Sequence, residues 1–279
     1  MGKEILMTVN LKKELLHVIE NGWEKITPWE LRKQISQKYG AKRKEIETAI
    51  KDLVSKRRLT YTYHFGRTFI EKSFDRAVRI SRRVVLKPQG RSFAPDPDDV
   101  IIEIAHGASF GTGEHPTTRL AIRGIEHALG EICLSGRGKE TCVLDIGTGS
   151  GVLAIAAVRL GISSAVGLDT DPCARYEAGE NARLNGLEDR FNICEVPVED
   201  LDRKFILITA NLRYPTLKRI LFTVAGSIEQ GGAVVLSGIK RDEISGIIDT
   251  YNKEKGFRCT WKECEKDWAC LGFLRTGIR

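Results

Sequence analysis

The sequence predicts an α/β protein built on a Rossmann-like, doubly wound sheet. The first observation is an apolar run that enters a glycine-dense turn, residues 143–151, and continues at once into an apolar helical segment. The second is another apolar run, residues 165–169, that ends on a carboxylate. Strand, glycine turn, helix, strand and acid in this order are typical of the nucleoside-binding half of such a sheet.

The glycine turn supplies most of the predicted cofactor-binding residues. Gly147, Gly149 and Gly151 follow the spacing G-x-G-x-G, and Asp145 stands two residues before the first of them. Glycine adopts backbone angles closed to other residues and lets a ligand approach the main chain. Asp169, at the end of the next strand, is placed to accept hydrogen bonds from two ribose hydroxyls.

The spacing of the glycines distinguishes between cofactors. Dinucleotide-binding folds use G-x-G-x-x-G to hold a pyrophosphate at a helix start. The G-x-G-x-G spacing with Asp145 resembles motif I of the class I S-adenosylmethionine-dependent methyltransferases. That resemblance implies S-adenosyl-L-methionine as cofactor and a seven-stranded, Rossmann-like sheet.

Composition agrees with an ordinary globular protein of two domains. The 279 residues are 42% hydrophobic and 29% charged, and no apolar run approaches the roughly 20 residues that span a bilayer. The seven cysteines form no C-x-x-C pair and no zinc spacing. We therefore expect reduced thiols, a cytoplasmic location, no membrane contact and no bound metal.

Charge separates the two predicted domains. Residues 1–90 contain 21 Lys and Arg against 10 Asp and Glu, a net charge of +11, whereas the whole chain is only +7. The basic character therefore belongs to the N-terminal segment, and we place the domain boundary near residue 75. Residues 1–75 are predicted to form a small basic domain and residues 76–279 the larger one.

The N-terminal segment has the pattern of three helices followed by a β-hairpin. Over residues 8–73 this order resembles the winged helix-turn-helix module, although no family-specific motif is present. If nucleic acid is the partner, phosphate contacts would come from seven cationic side chains, namely Lys42, Arg43, Lys44, Lys56, Arg57, Arg58 and Arg67. Binding of nucleic acid, docking of a protein, and a structural or dimerising role all stay open.

A second segment narrows the family. Residues 110–118 read Phe-Gly-Thr-Gly-Glu-His-Pro-Thr-Thr, which closely resembles the segment that precedes motif I in the ribosomal protein L11 methyltransferases. Further segments agree with that family in order and spacing: residues 145–151, 167–172, 180–186, 208–212 and 232–239. The resemblance covers about residues 80–279 and implies transfer of a methyl group to a protein amine, on a lysine side chain or an N-terminus.

The resemblance assigns cofactor contacts to Thr118, Gly147, Asp169 and Asn211. The Thr118 hydroxyl would bind the methionine carboxylate of the cofactor. Asn211 follows an apolar run at the carboxyl end of a strand, where ligands bind in open α/β sheets. Its side-chain carbonyl would also orient the acceptor amine, so we predict Asn211 as a catalytic residue as well.

Methylation of an amine requires its lone pair, so a proton acceptor is useful. His115 is the candidate, since histidine titrates near neutrality; the alternative is that it fixes its loop by hydrogen bonding. His106 has the same alternative. Glu199 or Asp200 is a weaker candidate for contact with the adenine amino group, a solvated turn being the alternative.

Two departures separate the chain from the family. The small α+β substrate-recognition domain usual at the N-terminus is not recognisable, and Leu-Arg-Tyr-Pro follows Asn211 where small or aliphatic residues are expected. Two other functions therefore stay open. One is an RNA methyltransferase that holds nucleic acid through its basic domain; the other is a non-enzymatic nucleic-acid-binding protein that senses S-adenosylmethionine.

Overall fold

The structure is a computed structural model that describes residues 2–21, 25–64, 66–105, 109–111, 113–132, 140–201, 203–254 and 256–276. Residues 2–10, 21, 64 and 199 are described by their backbone alone. His106 and the Glu199 side chain, both named above as candidates, lie outside the described part. The chain divides into two compact units, Met1–Arg76 and Ala77–Arg279.

The N-terminal unit consists of three helices and an antiparallel hairpin. In chain order these are α1 (Gly2–Asn21), α2 (Pro28–Tyr39), α3 (Arg43–Ser55), β1 (Leu59–His64) and β2 (Arg67–Lys72). The first helix begins at Gly2, whereas the apolar pattern that predicts it starts only at Leu11. The core of the N-terminal unit is formed by buried aliphatic residues from all three helices and the hairpin. Whether this unit is a winged helix module stays a prediction.

Local sequence explains where α2 begins and ends. The Thr27 hydroxyl accepts a hydrogen bond from the Glu30 N–H at 3.2 Å, and the Glu30 carboxylate accepts one from the Thr27 N–H at 2.8 Å. This reciprocal capping box satisfies two N–H groups that the helix leaves free. Gly40, with φ of 66°, ends the helix in the left-handed conformation.

The second unit alternates strands and helices. In chain order it contains β3 (Val78–Arg79), β4 (Val84–Pro88), β5 (Val100–Ile104), α4 (Pro116–Glu131), β6 (Cys142–Ile146), α5 (Val152–Arg159), β7 (Ser164–Leu168), α6 (Pro172–Leu184), β8 (Phe191–Cys194), β9 (Phe205–Asn211), α7 (Tyr214–Arg219), α8 (Leu221–Ser227), β10 (Ile228–Lys240), α9 (Ile244–Lys253), β11 (Phe257–Glu265) and β12 (Trp268–Arg275).

The main sheet has seven strands in the order β11-β12-β10-β9-β6-β7-β8. The strands from β10 to β8 run parallel, while β12 is antiparallel to both β10 and β11. This sheet confirms the predicted fold class, a Rossmann-like seven-stranded sheet that ends in an antiparallel hairpin. Strands β3, β4 and β5 form a separate small sheet.

Burial on both faces explains why the central strands are continuously apolar. Every residue of β6 is buried, as are Phe205–Ala210 of β9. Helix α4 packs against β10, β11 and β12, and α5 packs against β6 and β7. Because β6, β7, β8 and β9 run parallel, their carboxyl ends lie at one edge of the sheet. Several of the predicted site residues are at this edge.

Candidate cofactor site

A cavity of about 630 Å³ opens at the carboxyl ends of the parallel strands. This is the position at which open α/β sheets bind their ligands, and the volume is that of a small-molecule site. Its lining comes from the turn after β6, the loops after β7 and β8, the segment around Asn211 that leads into α7, and residues 109–111 with Thr118.

The turn between β6 and α5 presents its main chain to this cavity. Gly147, Gly149 and Gly151 have φ values of 73°, 53° and 78°, a conformation that other residues rarely adopt. A Cβ atom on Gly149 would lie 2.6 Å from the Phe110 carbonyl oxygen. Gly147 and Gly149 line the cavity and Gly151 does not; it caps α5, and a side chain there would meet Phe191.

Asp169 lies beside the glycine turn and is held by main-chain groups. One carboxylate oxygen accepts a hydrogen bond from the Gly149 N–H at 2.9 Å, and the other accepts one from the Asp171 N–H at 3.0 Å. A carboxylate can accept about four hydrogen bonds. Asp169 therefore has a fixed orientation and still offers acceptor sites to a ligand in the cavity.

Asp145 lies behind the turn, outside the cavity lining. Its two carboxylate oxygens accept hydrogen bonds from the hydroxyls of Thr209, at 2.6 Å, and Thr148, at 2.8 Å. Complete burial raises the pKa of Asp145 to about 6, although these hydrogen bonds act in the opposite direction. In this position Asp145 holds Thr148, which does line the cavity, through a hydrogen bond; its predicted contact with the cofactor stays a prediction.

Thr118 lies in the first turn of α4 and faces the cavity. It is 1% exposed, and among the residues that the structure describes its Oγ1 has no hydrogen-bond partner. An unpaired buried hydroxyl costs stability, so it marks a position where a polar ligand atom would be favoured. The preceding segment is held in place because the Phe110 carbonyl accepts a hydrogen bond from the Ser150 N–H at 2.9 Å.

His115 caps α4 and does not line the cavity. Its Nδ1 accepts a hydrogen bond from the Thr117 N–H at 3.3 Å, and its ring lies between those of Phe110 and Trp268, with centroids 5.2 and 5.0 Å away. Burial and the nearby Arg119 charge lower the pKa of His115. In this position His115 fixes its loop by hydrogen bonding and ring contacts and stays outside the lining; its role as proton acceptor stays a prediction.

An arginine network holds the same loop from the other side. The Arg119 guanidinium donates hydrogen bonds to the carbonyls of Gly113 and Glu114, at 2.8 and 2.6 Å, and to the Glu265 carboxylate at 2.9 Å. Arg123 also donates to Glu265, at 2.6 Å. Although burial acts to raise it, these two cations hold the pKa of Glu265 below its ordinary value.

Asn211 and α7 form the opposite wall of the cavity. Asn211 is the last residue of β9, and Leu212, Thr216 and Arg219 follow it in the lining. The Leu212 side chain fills the space beside Gly147, where a Cβ atom would lie 2.6 Å from its Cδ2. The structure therefore brings five of the predicted site residues together around one space, namely Thr118, Gly147, Gly149, Asp169 and Asn211; their contact with a shared ligand stays a prediction.

Sequence reasoning missed several lining residues. Glu195, directly after β8, lines the cavity and pairs with Arg175 at 2.6 Å, and Arg175 also donates a hydrogen bond to the Asp169 carbonyl at 2.8 Å. Arg219 was missed as well. Asp200, one of the two acids predicted to contact adenine, belongs to the 3₁₀ turn Val198–Asp200 and does not line the cavity; an acid that contacts adenine stays a prediction. The described residues contain no cluster of side chains that could hold a metal.

Comparison with known proteins decides the family. A family model described as ribosomal protein L11 methyltransferase (PrmA) matches residues 70–276, which is most of the chain. The chain belongs to the PrmA family. The match begins near the end of the N-terminal unit, so most of Met1–Arg76 lies outside it.

Individual relatives agree with this family assignment. Proteins named ribosomal protein L11 methyltransferase from Geobacter sulfurreducens and Geobacter metallireducens are 38% and 37% identical over 199 and 193 residues. These alignments cover 71% and 69% of this chain but 62% and 60% of the relatives, so the chain spans about three-fifths of their length.

A solved structure of a similar protein has the same fold. The crystal structure of a ribosomal protein L11 methylase from Lactobacillus delbrueckii subsp. bulgaricus superimposes with a TM-score of 0.63 at 30% sequence identity. It covers 72% of this chain and 100% of that chain. The second unit therefore has the class I methyltransferase fold, as the sequence predicts.

Proposed function

We propose that the protein is an S-adenosylmethionine-dependent methyltransferase that methylates an amine of a protein, on a lysine side chain or an N-terminus. Ribosomal protein L11 or a related protein is the proposed substrate, because the family is described by that activity. One observation carries the proposal: Thr118, Gly147, Asp169 and Asn211, to which the resemblance assigns cofactor contacts, come from separate segments and line a single cavity.

The cavity suits S-adenosylmethionine in three respects. The unpaired Thr118 hydroxyl offers a hydrogen bond to a carboxylate, Asp169 offers acceptors to ribose hydroxyls, and Gly147 and Gly149 contribute main chain to the cavity lining. When bound, the cofactor supplies the activated methyl group. The protein then holds the reactants in line, which is the main contribution of a chain to such a transfer.

The acceptor amine must lose a proton before it can react. For a lysine at pH 7 the neutral form costs about 4–5 kcal/mol, given its ordinary pKa near 10.4. Asn211 lies on the wall of the cavity, and its side-chain carbonyl would accept a hydrogen bond from the amine and orient it. His115 serves as a positioning residue in this proposal, because its Nδ1 is engaged by Thr117 and its ring lies outside the lining.

Substrate recognition is proposed to differ from that of the longer relatives. Most of the basic N-terminal unit lies outside the family match, so it does not inherit their mode of substrate binding. A role with ribosomal proteins fits the cytoplasmic location expected from the reduced cysteines. In the part of the chain that the structure describes, no helix is long and apolar enough to cross a membrane.

Transfer of labelled methyl groups tests the proposal directly. Purified protein is incubated with S-adenosylmethionine labelled in the methyl group and with ribosomes or cell extract, and the product is treated with protease or with RNase. We expect label that is lost only to protease and that intact-mass analysis assigns to one or a few ribosomal proteins. Loss to RNase alone would indicate an RNA methyltransferase instead.

Two asparagine variants test whether methyl transfer takes place in the cavity. We expect Asn211→Ala to lower transfer by at least about 10-fold, as loss of a positioning hydrogen bond does. Asn192→Ala changes an exposed asparagine on β8 outside the lining and should leave transfer unchanged. Tight binding of S-adenosylhomocysteine without any transfer would support a sensor, and binding of NAD in its place would overturn the cofactor assignment.

A further inference from the structure

Strand β10 bulges where it passes the Asn211 wall of the cavity. Ser237 stands opposite Asn211 in the parallel register of β10 and β9, and the register with β12 shifts between Ser237 and Ile239. Gly238 lies in this bulge with φ of 84°, and a Cβ atom there would lie 2.3 Å from the Leu212 carbonyl oxygen. Glycine therefore lets β10 lie directly against the segment that follows Asn211.

Ser237 joins two segments of the cavity wall through its two polar groups. Its hydroxyl donates a hydrogen bond to the Thr117 carbonyl at 2.8 Å, and its carbonyl accepts one from the Leu212 N–H at 3.2 Å. Thr117 immediately precedes Thr118, and Leu212 immediately follows Asn211. Ser237 is fully buried, so bulk water cannot substitute for either bond.

Ser237 does not belong to the cavity lining, so it can act on a ligand only through the segments that it holds. The first turn of α4 has a second anchor, because Arg119 donates a hydrogen bond to the Glu265 carboxylate at 2.9 Å. Loss of the Ser237 hydroxyl would therefore leave this turn attached to the unit. What it would remove is the direct polar link between the turn and β10.

We propose that Ser237 is a positioning residue that fixes the spacing between the two reactants. The inference rests on the proposed function, in which Thr118 binds the cofactor carboxylate and Asn211 orients the acceptor amine. In-line transfer needs the reacting atoms about 3–3.5 Å apart, and a misplacement of about 1 Å can cost about 100-fold in rate. A buried serine that is bonded to the neighbours of both residues keeps the two binding segments at one separation.

A bisubstrate probe measures this spacing without turnover. In the probe, nitrogen replaces the cofactor sulfur and carries a short alkylamine chain in place of the methyl group, so one molecule occupies both binding positions. The unaltered protein should bind it at least about 10-fold more tightly than S-adenosylhomocysteine, since linked groups gain from a site that holds both in place. Ser237→Ala should lose most of this difference, while its affinity for S-adenosylhomocysteine stays within about threefold of the unaltered value because cofactor binding itself is retained.

Steady-state kinetics gives the second readout. Ser237→Ala should lower kcat about 10-fold and leave the KM of the cofactor within about threefold, because the lost bond aligns the reactants and does not bind the cofactor. Ser237→Cys keeps the size of the side chain and a weak donor, so its values should lie between those of serine and alanine. This graded variant keeps the test decisive even if Ser237→Ala does not fold.

The matched control is Ser164→Ala. Ser164 is the first residue of β7, and its hydroxyl donates a hydrogen bond to the Thr141 carbonyl at 3.4 Å, outside the cavity lining. Both readouts should stay at the level of the unaltered protein in this variant.

The outcomes separate the positioning role from the proposed function. If the unaltered protein binds the probe tightly and transfers methyl groups but Ser237→Ala behaves like the control, the positioning role is refuted and the proposed function stands. Equal losses of affinity for the probe and for S-adenosylhomocysteine would also refute it, because Ser237 would then support the cofactor site alone. If the unaltered protein transfers no methyl group and binds the probe no more tightly than S-adenosylhomocysteine, the proposed function and this inference both fail.

Discussion

At the level of single residues, Thr118 gives a testable prediction. Its hydroxyl is buried and has no hydrogen-bond partner among the described residues. Thr118→Val should lower the affinity for S-adenosylhomocysteine by about 10- to 100-fold, the worth of a hydrogen bond to a charged group. The free energy of unfolding without ligand should stay the same or rise, because valine removes a buried polar atom that has no partner there. Calorimetry and urea denaturation measure the two quantities.

The control for Thr118 is Thr250→Val. The Thr250 hydroxyl donates a hydrogen bond to the Gly246 carbonyl within α9, away from the cavity. Cofactor affinity should be unaffected there. An unchanged affinity in Thr118→Val would contradict the role assigned to its hydroxyl.

The raised pKa of Asp145 predicts that the free energy of unfolding falls as pH rises through the weakly acidic range. This pKa is raised to about 6 in the folded protein, above the ordinary value of 3.8. Between these values the folded state holds a proton that the unfolded state has released, so stability falls as pH rises from about 4 to 6. The contribution of this one group is about 3 kcal/mol.

Urea denaturation between pH 4 and 7 measures this effect as a difference between variants. Asp145→Asn keeps a polar side chain between Thr148 and Thr209 and cannot ionise, so its stability should lack that fall and exceed the wild-type value at pH 7. Asp249→Asn alters an exposed carboxylate and should keep the wild-type profile. Parallel profiles for wild type and Asp145→Asn would show that Asp145 is not perturbed.

At the scale of elements, Arg119 joins the loop before α4 to the end of β11. It donates hydrogen bonds to two loop carbonyls and to Glu265 while itself nearly buried. Arg119→Met should therefore lower the free energy of unfolding by about 2–4 kcal/mol, since it leaves buried acceptors without donors. It should also weaken cofactor binding, because the loop borders the cavity.

An exposed ion pair gives the contrast for Arg119. Arg183 pairs with Glu180 three residues earlier on α6 at 2.9 Å, and both side chains are exposed. Arg183→Met should cost less than about 1 kcal/mol, as exposed pairs usually do. Equal losses in the two variants by urea denaturation would refute the anchoring role of Arg119.

At the scale of the whole molecule, every residue of the cavity lining belongs to the second unit. A fragment of residues 70–279, which contains the full family match, should therefore fold cooperatively and bind S-adenosylhomocysteine within about threefold of the full-length affinity. Calorimetry on both proteins checks this. Loss of binding in a folded fragment would mean that residues 1–69 contribute to the cofactor site.

Local sequence patterns were enough to predict the fold of the second unit and the shared position of five predicted site residues. These signals are local: apolar runs that end in glycines or an acid report a strand and the turn after it, whatever surrounds them. Parallel strands end at one edge of a sheet, so residues at those ends meet. This rule accounts for the shared position of Gly147, Asp169 and Asn211.

Packing of the folded chain determines which polar groups face the cavity and which are engaged elsewhere. Asp145 and Asp169 both stand at the ends of apolar runs, yet packing buries the first behind the turn and leaves the second at the lining. Likewise, Arg43 and Lys44 are adjacent, but among the described residues one is paired with Glu47 and the other is not. Partners distant in sequence settle these outcomes, and hydrogen bonding and charge pairing depend on distances that no local pattern contains.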